Sequence, residues 1–172
     1  MIRPIEVSKD IYFDKGQKMM REVAIDKQTG QHLGECIAEY VSTPRYYSTK
    51  NFLGSYVVTK TPFFSQIKPH MNITAIDVAS HARRQGVATR LVADVVRESK
   101  NSGFDGRVVL LAENFKESPL PAYIKMGFTT ANPTLDIKVK RFLEFPLGKF
   151  NPFISSYMML PKKAVPKFMA LV

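Results

Sequence analysis

The feature that most constrains this chain is one stretch of forty residues, 73–112. It reads as a strand, a basic glycine loop, a helix and a second strand. Ile73 to Val78 has strand character and ends at Ala79-Ser80. The loop His81-Ala82-Arg83-Arg84-Gln85-Gly86 follows. Val87, Ala88, Leu91, Val92, Val95 and Val96 then recur at spacings of three and four, which puts them on one face of a helix. Arg90, Asp94 and Arg97 fall on the other side, Arg90 and Asp94 four apart as helix partners are. Asn101-Ser102-Gly103 supplies a C-terminal glycine stop. Val108-Val109-Leu110-Leu111-Ala112 is a continuous apolar run, as a strand buried on both faces requires. The unit is strand–helix–strand with a parallel pair.

The loop carries the chemistry. A helix N-terminus offers unpaired N–H groups and about half a positive charge. It is therefore a ready anion site. Gly86 permits close approach of a bulky phosphate, and small Ala88 keeps the first turn clear. Arg83 and Arg84 add forked, permanently charged donors, and Thr89 a hydroxyl. The loop lacks the Gly-Lys-Ser/Thr ending of a Walker loop and the three glycines of a dinucleotide fingerprint. Its plain reading is a basic loop opening an ordinary helix.

Around this unit the chain reads less sharply. Residues 17–42 predict a hairpin, with the turn cluster Asp26-Lys27-Gln28-Thr29-Gly30 between two alternating runs. Cys36, on the second run, reads as a core residue. Residues 43–70 hold Arg45, Lys50, Lys60 and Lys68, no acid, and the aromatics Tyr46, Tyr47, Phe52, Tyr56, Phe63 and Phe64. Such interleaving suits stacking on bases. The reading preferred is an insertion whose aromatics pack on the sheet while its lysines face water. Tyr56-Val57-Val58 could be a short strand. Ser118-Pro119 reads as an N-cap and first helical position for a short helix through Tyr123, stopping at Gly127. In 129–153, Leu135, Ile137 and Val139 alternate like a strand, interrupted by Pro133, Pro146 and Pro152. Ile154 to Leu160 predicts a last strand, and 161–172 a tail or short helix.

Composition narrows the class. At 172 residues the chain suits one domain. A single cysteine excludes an intrachain disulfide and a cysteine-rich metal site and suits a reducing compartment. No apolar run is long enough for a membrane helix, and the first ten residues lack the apolar core of a signal peptide. A cytoplasmic protein is expected. Lys and Arg number 25 against 15 Asp and Glu, a net +10, which favours anionic partners such as nucleic acid, acidic protein surfaces or a polyphosphate cofactor. His32, His70 and His81 form no metal spacing with an acidic partner, so no metal is expected.

Arg83-Arg84-Gln85-Gly86-Val87-Ala88 resembles the Gln/Arg-x-x-Gly-x-Gly/Ala loop of the GNAT superfamily of acyl-CoA N-acyltransferases, and Ile76-Asp77-Val78 resembles the strand end before it. Tyr123-Ile124-Lys125-Met126-Gly127-Phe128 is similar to that family's Tyr-x-x-x-Gly-Phe helix ending. The resemblance covers about residues 72–128. It implies a single-domain α/β (α+β) fold over 1–172 with a motif core at 72–128. The sheet would be mixed and mostly antiparallel, flanked by helices, with a parallel pair splayed at the cofactor. Segments 43–70 and 129–172 are atypical. The family usually has one or two helices between its first two strands, and little room for them exists before residue 17.

The resemblance also implies roles. Arg83, Arg84, Gln85, Gly86, Val87, Ala88 and Thr89 would hold the pyrophosphate of acetyl-CoA, the acyl donor. Ile76 and Val78 would pair with its pantetheine arm, and a backbone N–H near Val78 would polarise the thioester carbonyl. Asn114 would bind pantetheine, although its spacing to Tyr123 is two residues longer than the family's. Tyr123 would protonate the leaving thiolate; the alternative for it is a core tyrosine. The family's glutamate position falls at Asn72 and Ile73, so Asp77, Glu113, Glu35, Glu39 or a water chain stand as candidate bases. The implied function is acetyl transfer to an amine by direct attack, since no cysteine lies near the motif. The acceptor is open: a small molecule, a protein amine or an aminoacyl-tRNA. The alternative is a GNAT-shaped module without turnover that binds nucleic acid or an acidic protein. Oligomeric state is open, a homodimer included.

Overall fold

The computed structural model describes residues 4–45, 47, 49–51, 56–57, 67–112, 119–130, 133–148 and 154–172. The chain begins with three long antiparallel strands, β1 (Ile5–Asp14), β2 (Gln17–Asp26) and β3 (His32–Val41). Lys15 and Gly16 join β1 to β2 in two residues, both with positive φ, the backbone that a tight hairpin demands. In this structure a strand, β1, therefore stands before residue 17 and no helix intervenes before β2. The expected hairpin 17–42 is β2 and β3, turned through the Asp26–Gly30 cluster, where Asp26 accepts the Gln28 and Thr29 N–H groups.

Next come the short pair β4 (Thr49–Asn51) and β5 (Tyr56–Val57), then β6 (His70–Val78), three residues longer than its apolar run. Helix α1 (Val87–Asn101) follows, then β7 (Val108–Ala112) and α2 (Leu120–Met126). The chain closes with β8 (Thr129–Thr130), α3 (Pro133–Glu144), β9 (Ile154–Leu160) and α4 (Val165–Met169). Among the described residues the strand order is β1-β2-β3-β6-β7-β9-β4-β5, with β8 beside β9. Among these described strands only β6 and β7 run parallel. The mixed, mostly antiparallel sheet with one parallel pair is the architecture expected.

Helix α1 forms because its apolar stripe has a partner. Val87, Leu91, Val92, Val95 and Val96 are all at most 2% exposed. They cover Met20, Ala24, Cys36, Ala38, Met71, Ile73, Val108 and Leu110 on one face of the sheet. Side chains of a strand alternate between faces, so Glu39, Asn72 and Val109 point the other way. There Tyr47 and Ile67 pack on Val109 and Met159. The expectation that segment 43–70 lays aromatics on the sheet is met at Tyr47. Tyr46, Phe52, Phe63 and Phe64 lie outside the described residues.

Two local readings need correction. Residues 133–144 are helical, not strand. Leu135 and Val139, four apart, are buried while Ile137 between them is 60% exposed, a period that fits a helix and not a strand. Pro133 opens the helix, where a missing N–H costs nothing. The helix over 120–126 starts one position later than expected: Pro119 is its N-cap and Pro121 lies in its first turn.

Candidate active site

The site is made by a failure of pairing. Strands β6 and β7 pair only at Met71–Val108, Asn72–Val109 and Ile73–Leu110. Beyond these they part. On its other side β6 stays bonded to β3 as far as Val78, but with an irregularity: Ala38 opposes Ile73 and Ile37 opposes Ala75, leaving Thr74 as an extra residue. Such a bulge bends its strand and increases its twist. The Thr74 hydroxyl donates to the Ile37 carbonyl at 3.3 Å. The β7-facing edge of 74–78 therefore has no strand partner among the described residues.

The gap is a cleft of about 420 Å³ lined by Ile73, Thr74, Ala75, Ile76 and Asp77 of β6, Leu110 and Leu111 of β7, Glu35 of β3, and Pro119 and Tyr123. Tyr123 comes from α2, as the sequence led one to expect. It is 9% exposed, and its ring meets Phe128 edge-on at 5.7 Å. Burial pushes its phenol up to about 12, so it holds its proton at neutral pH. Val78 lies just past the cleft lining, and its carbonyl accepts from the Arg83 Nε at 3.3 Å.

The glycine loop sits at the end of β6. Ser80–Ala82 form one 3-10 turn, and Gln85 donates to the His81 carbonyl at 2.8 Å. Arg84 and Gly86 both have positive φ, at 61° and 80°. Gly86 is the N-cap of α1 and supplies no side-chain cap, and the first turn holds no acid. The Arg90 N–H reaches back to the Gly86 carbonyl at 3.0 Å. The N–H groups ahead of it, on Val87, Ala88 and Thr89, belong to the unpaired set of a helix start. A Cβ built on Gly86 meets nothing within 4 Å, so the space above this turn is open. A residue the sequence did not single out makes the arrangement fit: a Cβ on Gly34 would lie 2.6 Å from the Asp77 carbonyl and 3.3 Å from Val87 Cγ1. Gly34 lets β3, the end of β6 and the start of α1 meet. A lone glycine inside a strand run was its only signal.

The candidate bases separate. Glu35 and Asp77, opposite each other in register, both line the cleft, with Arg21 on the Glu35 carboxylate at 2.8 Å. Glu39 does not line it. Arg45 grips both Glu39 oxygens at 2.7 and 2.8 Å and holds its carboxyl below the usual range. Asn72, which with Ile73 occupies the neighbourhood where the resemblance would set a glutamate, donates to Glu39 at 3.2 Å. His70 is fully buried. Its Nδ1–H donates to the Lys68 carbonyl, so Nε2 accepts from the Tyr47 hydroxyl, and burial pulls its pKa down to about 4. His81 is exposed on the loop. Glu113 and Asn114 lie outside the described residues. Among those described, no three His, Cys, Asp or Glu side chains gather closely enough to hold a metal ion, and no helix is long and apolar enough to cross a membrane.

Comparison with known proteins places the family and the fold. The profile of the acetyltransferase (GNAT) family matches residues 12–128, and the chain belongs to that family. The match begins some sixty residues before the motif core, within β1. A bacterial toxin of known structure superposes with a TM-score of 0.51 at 18% identity, covering 89% of this chain and 72% of the toxin. Naa20 of Chaetomium thermophilum, solved with a bisubstrate analogue, gives 0.50 at 17% identity, covering 86% and 68%. A Bacillus subtilis acetyltransferase solved with CoA gives 0.47 at 11% identity, covering 90% and 98%. The likenesses to the toxin and to Naa20 are of fold. No curated protein matches the chain by sequence.

Proposed function

We propose that this GNAT-family chain transfers an acetyl group from acetyl-CoA to an amine by direct attack. The observation that carries the reading is the parting of β6 from β7 beside an uncapped, glycine-led helix start. The open edge of 74–78 can receive the pantetheine arm as an added strand, using Ile76 and Val78. The turn from Arg83 to Thr89 can receive the pyrophosphate on backbone N–H groups, with both arginines adding charge. Asn114 is assigned to the same arm on the resemblance alone.

The reaction then uses residues already described. An N–H on the open edge of β6, in the stretch ending at Val78, polarises the thioester carbonyl. The neutral amine forms the C–N bond, the C–S bond breaks, and Tyr123 gives its proton to the departing thiolate. The amine's proton leaves to Glu35 or Asp77, directly or through water. These carboxylates are favoured over Glu39 because they line the cleft and Glu39 does not. The acceptor can be a small molecule, a protein amine or an aminoacyl-tRNA.

Calorimetry with acetyl-CoA tests the reading. Binding at micromolar to millimolar cofactor is expected, and none at millimolar would end it. Gly86→Val should remove that binding. Its φ of 80° strains any side chain by roughly 1–2 kcal/mol, and the Cβ would fill the space assigned to phosphate. Unchanged affinity in that variant would show the phosphate turn to be misplaced.

A further inference from the structure

Strand β1 ends the sheet, and among the described residues its outer edge pairs with no strand. It is ten residues long, in the upper range for strands, and such edges are templates for pairing. Its side chains on the α1 face are Ile5, Val7, Lys9, Ile11 and Phe13. Ile5 and Val7 pack on the core, whereas Ile11 is 44% and Phe13 71% exposed. The apolar surface is thus unspent on the second half of the strand only.

We propose that β1 pairs antiparallel with β1 of a second copy of this chain, centred on Lys9, so that two sheets become one. The register follows from the pleat and the charges. Two-fold pairing must keep opposed side chains on the same face, so the axis passes through a residue. Centred on Asp10, the pairing would set Asp10 on the partner's Asp10 and Glu6 on the partner's Asp14. Like charges directly opposed are destabilising. Centred on Ser8 it would set Glu6 on the partner's Asp10 and leave Phe13 uncovered. Centred on Ile11 it would leave Ile5 and Val7 without strand partners.

Centred on Lys9, Ile5 meets the partner's Phe13 and Val7 meets the partner's Ile11, and symmetry repeats both pairs. On the other face Ser8 meets the partner's Asp10 as a hydroxyl donor, and Glu6 meets the partner's Tyr12. One like pair remains, Lys9 on the partner's Lys9. Each lysine is already bonded to its own Glu98 at 2.7 Å, so charges alternate across the axis.

The interface does not depend on the acetyltransferase reading and is tested without cofactor. Sedimentation should give a dimer for the full chain. Phe13→Glu, at a surface position that leaves the fold intact, should weaken it at least about tenfold. Under oxidation, Lys9→Cys should cross-link to itself, while Asp10→Cys and Ile11→Cys should not. Because Lys9→Cys also removes the Glu98 partner, a mixture of Ser8→Cys with Asp10→Cys provides the second probe and should yield the mixed disulfide. Native Cys36 is buried and stays silent. A wild-type chain monomeric up to millimolar concentration would overturn the proposal. So would self-cross-linking at Asp10→Cys or Ile11→Cys in preference to Lys9→Cys and the mixed pair.

Discussion

Glu22 is the residue whose removal should help the fold most, and the gain should depend on pH. It sits mid-strand on β2, between Lys9 of β1 and Cys36 of β3, under α1. It has no exposed surface, and neither carboxylate oxygen has a hydrogen-bond partner among the described residues. Burial chiefly, then Asp94, pushes its pKa from an ordinary 4.5 up to about 8; Glu98 adds to this, while Lys9 and Arg97 oppose it. The raised value means that the folded chain keeps a proton the unfolded chain has lost. Stability therefore falls as pH rises from about 4.5 to about 8, and the full cost stands above that. At 1.36 kcal/mol per decade the gap amounts to at most about 5 kcal/mol, and about 3 kcal/mol at pH 7. That is a large share of the 5–15 kcal/mol typical of a domain. Glu22→Gln keeps the shape and the unpaired polar atoms but cannot ionise. By urea unfolding it should match the wild type within about 1 kcal/mol near pH 5 and exceed it by about 3–5 kcal/mol above pH 8. The difference between the two chains cancels other titrations, including His70, whose lowered pKa acts oppositely by costing stability as pH falls from 6.5 towards 4. A difference independent of pH would refute the reasoning, because Glu22 would then be ionised, or neutral, throughout.

Three further outcomes are expected. Tyr123→Phe should leave acetyl-CoA affinity nearly unchanged and lower turnover about 10²–10⁴-fold, read by release of CoA thiol with chemistry rate-limiting; a merely packed tyrosine would tolerate the change. Gly34→Ala should cost about 1–3 kcal/mol by thermal melting, since its Cβ would meet backbone at 2.6 Å, and should loosen the loop that follows β6. Tyr47→Phe should cost a similar roughly 1–3 kcal/mol by leaving the buried His70 Nε2 without its donor.

What was legible in the sequence is what short-range periodicity encodes. The stripe on α1, the unbroken apolar β7 and the β2–β3 turn all announced themselves, and Tyr123 arrived at the cleft because its helix was placed correctly. Strand β1 was missed because Lys9 interrupts its apolar positions Ile5, Val7, Ile11 and Phe13, leaving two short fragments of alternation instead of one long run. Helix α3 was misread because Leu135, Ile137 and Val139 fit period two as well as four; burial of the outer pair alone decides between them. The candidate base could not be chosen from strand position. Glu35 and Glu39 point to the same face, and the difference between them is that Glu35 lines the cleft and Glu39 does not. Gly34 gave no hint of what it prevents, since its clash is with residues over forty positions away.

The three-pair seam between β6 and β7 has a mechanical consequence. Sheet hydrogen bonding between the β1–β2–β3–β6 half and the β7–β9 half passes through Met71, Asn72 and Ile73 alone among the described strands. A long ligand laid along 74–78 would extend that seam like a splint. Anything that binds only the folded chain stabilises it in proportion to the logarithm of its excess over Kd. Here the gain would be local before it is global. The amides of 74–78 that face the gap should exchange with solvent early in the free protein and late in the bound one, with the far edges of the sheet less affected. On the proposed reading, the opening that would receive the donor is also the crease along which the sheet should yield first, and the donor would close it.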